Sequence, residues 1–197
     1  MATDLLVLEV EPQDIGDSLS ETHWREVLEK VVKINFETDR GLFSSVGLIT
    51  DEHTVSTTVG AVLNRNRARV KYYQDGGIET AGDVVKAEQK LSASIYPMYV
   101  PRVGKVELSR EIQSDSLLVV NHCRKDWSVD RFSFRGSAKE KDLINFQINC
   151  PPNGIAGAPI FSSEQKLIGM IVGNIPHTRY FLAVPWGTFF ANRVEIL

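Results

Sequence analysis

The chain has 197 residues, of which 43% are apolar and 24% are charged, and its formal net charge is −3. This length suits one large domain or two small ones with a real core. The mildly acidic balance predicts no general attraction to nucleic acid or to an anionic membrane. No apolar run approaches the roughly 20 residues that cross a bilayer, and the opening MATDLLVLEVEPQD lacks the basic flank of a secretory signal.

The chain has only two cysteines, Cys123 and Cys150. Secreted proteins of this size are usually held by several disulfides. We therefore expect an intracellular protein, cytoplasmic or nuclear, without membrane attachment. A disulfide between the two cysteines cannot be read from the sequence.

The first 18 residues contain LLVLEVE, a short strand or an appended arm. A helix is predicted over residues 19–32, because apolar residues recur there at helical spacing. Ser18 and Glu21 have the spacing of a capping box at its start. The apolar face of this helix comprises Trp24, Val27, Leu28, Val31 and Val32.

Short β-like runs follow the helix and are separated by turn-forming residues. In the first half these runs are VVKINFE, SSVGLIT, TVSTTVGAVL and ARVKYY. Residues 75–100 look less regular, since Pro97 and Pro101 oppose a continuous element. The runs of the second half are SLLVVNH, WSVDRFSFRG, LINFQIN, APIF, KLIGMIVG and YFLAVP, and WGTFFANRVEIL at the end suggests a terminal helix.

Residues 154–161 read GIAGAPIF and precede KLIGMIVG and YFLAVP. This order resembles the G-x-S-G-x-P-x-F signature of the chymotrypsin-like (trypsin-like) serine proteases, and is most similar to the HtrA-like branch. In the first half, SSVGLITDEHTVSTTVGAV resembles the family's GSGFLI…LTAAHV. The resemblance implies an all-β, chymotrypsin-like double β-barrel with an N-terminal amphipathic helix, a C-terminal helix and a cleft between the barrels.

This resemblance divides the chain into three parts. Residues 1–18 form an N-terminal arm, and residues 19–105 contain the helix and the first β-barrel. Residues 106–197 contain the second β-barrel and the C-terminal helix. The two barrels are expected to form one trypsin-like unit.

The family's catalytic triad falls on three positions that hold other residues here. The resemblance places the serine nucleophile at Ala156, the histidine at Gly60, after Val-Ser-Thr-Thr-Val, and the aspartate at Gly104. Gly154 and Gly157 would shape the oxyanion turn around Ala156, which is therefore vestigial. Engineering commonly removes one residue rather than three, and the triad acts as a unit, so natural loss is the favoured interpretation.

Several other groups keep an active enzyme open as an alternative. His53 lies seven residues before Gly60, and His177 lies in a loop expected near the substrate groove. His23 and His122 have no nucleophile motif beside them. Cys150 is a further nucleophile candidate, although its INCPPNG surroundings show no oxyanion turn at the cysteine itself.

Two surfaces are candidate binding sites. The presumed peptide cleft would be lined by Ile155, Val172, Gly173, Asn174 and His177. A basic docking strip would place Arg65, Arg67, Arg69 and Lys71 on one strand face. The strip could contact an acidic protein or a nucleic-acid backbone, or it could be the solvated outer face of a barrel.

The main hypothesis is a pseudoprotease: a non-catalytic trypsin-like homologue that is not an enzyme, needs no metal or cofactor, and acts as a protein-interaction scaffold. Its partner would be a protein that offers an extended peptide to the cleft. The alternative is an active serine or cysteine protease whose nucleophile has been replaced by Ala156. This alternative requires a histidine elsewhere than position 60, and His53 is the favoured candidate. Nothing in the sequence settles the oligomeric state or the identity of the partner.

Overall fold

The computed structural model describes a mostly β protein through a set of separate chain segments. These segments are residues 6–8, 12–13, 21–73, 78–87, 91–108, 116–121, 128–133, 144–147, 156–162, 164–174 and 180–185. Two short strands come first, β1 (Leu6–Leu8) and β2 (Pro12–Gln13), followed by the helix α1 (Glu21–Leu28). None of the helices in these segments combines the length and apolar character needed to cross a bilayer.

The next six strands close into a barrel in the order β3-β4-β5-β8-β7-β6. A four-residue helix, α2 (Val59–Val62), separates β5 from β6. The strands are β3 (Val31–Thr38), β4 (Gly41–Ile49), β5 (Val55–Thr58), β6 (Arg67–Tyr72), β7 (Glu79–Ala87) and β8 (Ser92–Pro97).

Two of the barrel strands, β6 and β8, alternate between a buried inner face and a more exposed outer face. Strand β6 shows this most clearly: Ala68, Val70 and Tyr72 are buried, whereas Arg67 and Arg69 are exposed. The inward residues join one apolar core with those of the other strands. The core includes Val32, Ile34, Phe36, Ile49, Val55, Ala93 and Ile95.

The second half contributes six more strands to an eight-stranded sheet in the order β1-β11-β14-β13-β12-β9-β10-β2. These are β9 (Ser116–Asn121), β10 (Ser128–Ser133), β11 (Ile144–Gln147), β12 (Pro159–Ser162), β13 (Leu167–Asn174) and β14 (Tyr180–Pro185). All six coincide with the apolar runs predicted from the sequence. The closed first barrel and the mostly β architecture confirm the coarse fold prediction.

The helix prediction over residues 19–32 is too long. The helix ends at Leu28, and Lys30 N donates a hydrogen bond to Val27 O at 3.0 Å in the turn that follows. Val31 instead opens β3, opposite Leu48. The β-branched pair at 31 and 32 gains full burial in the sheet, which overrides its helical spacing.

Two further boundaries differ from the sequence prediction. Residues 78–97, predicted to be irregular, contain strands β7 and β8, which pair with each other over six residues. Pro97 is tolerated because it is the last residue of β8. The run TVSTTVGAVL, predicted as one strand, becomes β5 and then α2. The predicted C-terminal helix and the capping residue Ser18 lie outside the described residues.

Candidate active site

The first component of the site is the junction between β5 and α2. Ser45 Oγ donates a buried hydrogen bond to Ala61 O at 2.6 Å, which fixes the short helix against β4. Val59 N donates to Leu91 O at 3.0 Å, which fixes it against the start of β8. Gly60 lies between these two anchors on the exposed side of the helix. The junction is therefore held rigidly although it has only one turn.

The second component is the turn at Ala156 and Gly157, which precedes β12. Gly157 has φ +81°, a conformation that glycine adopts without strain. A Cβ at this position would fall on Val46 O and Thr57 Oγ1. Thr57 Oγ1 already donates to Val46 O at 2.7 Å. The turn can therefore approach the first barrel only because residue 157 has no side chain.

Backbone hydrogen bonds secure this turn on both sides. Val46 N, in the first barrel, donates to Ala156 O at 2.9 Å. Gly157 N donates to Ile171 O at 2.8 Å, and Ile171 N donates to Ala158 O at 2.9 Å. The half-buried Ala156 is thus held where the barrel meets the second sheet.

Strand β13 brings the two components together. A Cβ on Gly60 would lie 2.9 Å from Val172 O, and the preceding carbonyl, Ile171 O, accepts the hydrogen bond from Gly157. The strand register shifts between Ile171 and Gly173, at the same place. Gly60 and the Ala156 turn therefore converge on one irregular stretch of β13, with groups from both halves of the chain around it.

Gly104, the third predicted triad position, has different neighbours. Among the described residues, the atoms within 4 Å of a Cβ added to Gly104 are Lys30 Cε and Nζ, both at 3.8 Å. Lys30 Nζ donates to Lys105 O at 3.0 Å, and burial lowers the pKa of the Lys30 ammonium. This segment follows β8 and packs beside the turn after α1, so its contacts do not join it to Gly60 or to the Ala156 turn.

The position that opens β8 was not predicted from the sequence as part of the site. The family's aspartate opens a strand, and the strand that pairs with β5 here begins at Ser92, opposite Thr58. Leu91, just before it, has φ +56° and accepts the hydrogen bond from α2. Within the described residues, Thr58 Oγ1 is a buried hydroxyl without a hydrogen-bond partner. Neither Leu91 nor Ser92 is a carboxylate, so little in these two residues could have revealed the position.

The histidines do not complete a triad among the described side chains. His53 is exposed in the turn between β4 and β5, where its backbone N–H donates to Asp51 Oδ1 at 2.8 Å. The whole of β5, about 13 Å at 3.3 Å per residue, separates this turn from α2. His23 lies in α1. His122, His177, Cys123, Cys150, Gly154 and Ile155 lie outside the described residues.

The remaining predicted cleft residues lie along β13. Val172 contributes the carbonyl beside Gly60. Gly173 pairs with Leu182 and Asn174 with Phe181, both on β14. These residues are therefore in one strand that runs away from the Ala156 turn.

The predicted basic strip lies on the outer face of β6, where acidic residues of β7 accompany it. Arg67 Nε lies 3.5 Å from Asp83 Oδ1, and Arg69 Nε lies 3.8 Å from Glu79 Oε1. Lys71 is opposite Glu79 in the register of the two strands. Arg65 precedes β6 and donates its backbone N–H to Val62 O at 3.1 Å. The outer face of these strands therefore carries both signs of charge.

Solved structures similar to this chain include serine proteases. The active form of the Rv3671c protease of M. tuberculosis has a TM-score of 0.71 at 12% identity, over 99% of this chain and 91% of that chain. A serine protease of human pathogenic astrovirus has a TM-score of 0.57 at 16% identity, over 80% of this chain and 89% of that one. A serine endoprotease of Yersinia pestis has a TM-score of 0.66 at 14% identity, over 88% and 64%.

These likenesses give the chain the chymotrypsin-like fold. No family model matches the chain, and no curated protein matches its sequence. The prediction that the chain is not an enzyme is wrong on this comparison, because the similar solved structures include proteases, one of them in an active form. An inactive serine-to-alanine mutant of the Rv3671c protease is also among them, with a TM-score of 0.69 at 14% identity.

Proposed function

We propose that this chain is a chymotrypsin-like peptidase domain that binds an extended peptide and whose nucleophile position is residue 156. The observation that carries the proposal is the turn at Ala156 and Gly157. It has positive φ at Gly157, a hydrogen bond to each half of the chain, and a contact with Val46 and Thr57 that excludes any side chain at 157. These contacts fix the direction of the bond from Cα to Cβ at residue 156, which is what a nucleophile requires.

The chemistry at this turn follows from its side chain. The methyl group of Ala156 cannot attack a carbonyl, and we take it to stand in place of the nucleophile of an active peptidase. A hydroxyl or thiol on the same Cβ would supply the nucleophile of an acyl-transfer reaction. In that reaction the nucleophile's oxygen or sulfur bonds to the carbonyl carbon, the amine leaves with a proton, and water then hydrolyses the acyl-enzyme.

A general base is also needed, and since His177 lies outside the described residues, its place in the sequence carries the choice. Gly60 has no side chain, and a side chain there would press on Val172 O. His53 is separated from α2 by the length of β5. His177 follows β13, the strand that contacts Gly60, five residues after Val172 in the sequence. We assign His177 the role of base in this proposal.

The test is to restore the nucleophile. Ala156→Ser and Ala156→Cys should cleave members of a quenched-fluorescent peptide library and react with a fluorophosphonate or an iodoacetamide probe, respectively. Ala156→Gly is the matched control, because it changes the same turn without adding a nucleophile. The unmodified chain should bind the preferred peptide, by fluorescence anisotropy, without cleaving it.

The role of the base is tested separately. In the Ala156→Ser background, His177→Ala should reduce kcat/KM by about 100-fold or more, the range expected for general-base catalysis, and His53→Ala should leave it unchanged. If neither restored nucleophile cleaves any peptide in the library although both variants are folded, the proposed activity is refuted.

A further inference from the structure

The two arm strands, β1 and β2, occupy opposite edges of the second sheet. β1 pairs in parallel with β11, with Leu6 opposite Ile144 and Leu8 opposite Phe146. β2 pairs antiparallel with β10, with Pro12 opposite Phe132. The order β1-β11-β14-β13-β12-β9-β10-β2 places the six strands of the second half between them. Two short pieces of one arm thus cover both edges.

The short connection between β1 and β2 limits how far apart the two edges of the sheet can be. Leu8 and Pro12 are four residues apart, so their Cα atoms can be separated by about 14 Å at most. In a flat sheet of eight strands the two outermost strands would lie about 34 Å apart, since neighbouring strands are about 4.8 Å apart. The sheet must therefore curl until β10 and β11 approach each other, with β1 and β2 in the remaining gap.

The gap between β10 and β11 is unusual because it separates two strands that follow each other in the sequence. β10 and β11 are consecutive in the order of the described strands, and consecutive strands usually neighbour each other in space. In the part of the chain that the structure describes, β10 pairs with β9 and β2, and β11 pairs with β14 and β1. The arm strands take the positions in which β10 and β11 would otherwise meet.

We propose that the gap between β10 and β11 is a binding site for an extended peptide, that β1 and β2 of the same chain are its occupants, and that they close the second sheet into a barrel. The pairing is by backbone, parallel to one neighbour and antiparallel to the other. Among the described residues, five pairs hold the arm, three to β11 and two to β10. Because each neighbour holds the arm through only two or three residue pairs, such a segment exchanges more easily than a central strand. This site is separate from the Ala156 turn and does not depend on the proposed peptidase activity.

The experiment uses the full-length chain with a specific protease recognition sequence inserted between Ile15 and Gly16, after β2 and before α1. The folded protein is cut at this sequence at micromolar concentration and passed over a gel-filtration column. The severed arm should remain with the body in a ratio near one to one, and a labelled synthetic peptide of residues 1–15 should exchange into the complex.

Proline substitutions inside and outside β1 test whether the arm is held by the pairing of β1 with β11. Because alternate amides of a strand face its neighbour, Val7→Pro with Leu8→Pro removes at least one amide that faces β11. This arm should dissociate after cutting. Prolines at Ala2 and Thr3, outside β1, should leave the arm bound. Light scattering before cutting should give a monomer.

The proposal is overturned if the unmodified arm dissociates after cutting as fast as the arm with prolines at Val7 and Leu8, or if these two arms are retained equally. It is also overturned if the arm is retained only in a dimer, because the arm would then belong to a second copy. If the proline variant does not fold, hydrogen exchange on the unmodified chain decides. Slow exchange at residues 6–8 together with residues 144–147 supports the arm as an occupant, and unprotected amides in both refute it.

Discussion

Gly157→Ala should be among the most damaging small substitutions in this protein. Its added methyl group would collide with Val46 O and Thr57 Oγ1, and its backbone would keep a φ of +81° that alanine disfavours. The φ term costs about 1–2 kcal/mol, overpacking about 1–3 kcal/mol, and loss of the buried Thr57 hydrogen bond about 1–3 kcal/mol. The free energy of unfolding should therefore fall by at least about 3 kcal/mol, out of the roughly 5–15 kcal/mol typical of a domain.

Substitutions at two other glycines distinguish the cost of the positive φ from the cost of the steric contact. Gly41 has φ +116° and nothing within 4 Å of an added methyl group, so Gly41→Ala should lose only the φ term. Gly104 has ordinary φ, and the nearest atoms to such a methyl are 3.8 Å away, so Gly104→Ala should change stability by less than about 0.5 kcal/mol.

The assay is urea unfolding followed by tryptophan fluorescence, with the unfolding midpoint and slope compared among the three variants. The expected order of destabilisation is Gly157→Ala, then Gly41→Ala, then Gly104→Ala. If Gly157→Ala is no less stable than Gly41→Ala, the close contact between the turn and the first barrel is not present in solution. Should Gly157→Ala be insoluble, Thr57→Val tests the same contact and should lower stability by about 1–3 kcal/mol.

Three further predictions concern other parts of the chain. Gly60→Ala should lower the free energy of unfolding, measured with urea, by about 1–3 kcal/mol, because the added methyl group would press on the backbone carbonyl of Val172. An unchanged unfolding midpoint would show that β13 lies further from residue 60 than in the structure. Burial raises the pKa of the Tyr72 phenol, so stability that is present below about pH 10, the pKa of an exposed tyrosine, should be lost as the pH rises above it. Melting temperatures from about pH 8 to about pH 12, on either side of that value, should show this loss in the parent and in Tyr96→Phe but not in Tyr72→Phe. Arg67→Ala should change stability by less than about 1 kcal/mol, since its ion pair is exposed, and a larger loss would mean that the pair is part of a stronger network.

Local patterns predict the turn at Ala156 but not the helix that carries Gly60. The spacing of Gly154 and Gly157 on either side of Ala156 indicates a tight turn, whereas the run TVSTTVGAVL reads as one strand through Gly60. The structure places Gly60 and Gly157 against successive residues of β13. The start of β8 was missed because Leu91 and Ser92 carry no charge that would mark them, and only their pairing with β5 and α2 reveals their place.

Which strand faces are apolar can be read from local sequence patterns. The alternation along β6 specifies a strand with one buried side, because side-chain direction in a strand has period two. The same local information placed Val31 and Val32 on a helix, where their spacing fits equally well. Only the pairing of β3 with β4 and β6 decides between these two elements.

The contacts between segments that are distant in the sequence are visible only in the three-dimensional structure. The approach of Gly60 to Val172 and the division of the arm between two sheet edges join residues that are far apart in the sequence. Such contacts depend on which strands pair and how far the sheet curls, and these are set by the combined burial of many residues. No short stretch of sequence specifies which strands pair. The alternation of apolar and polar side chains along a strand, by contrast, depends only on the residues of that strand.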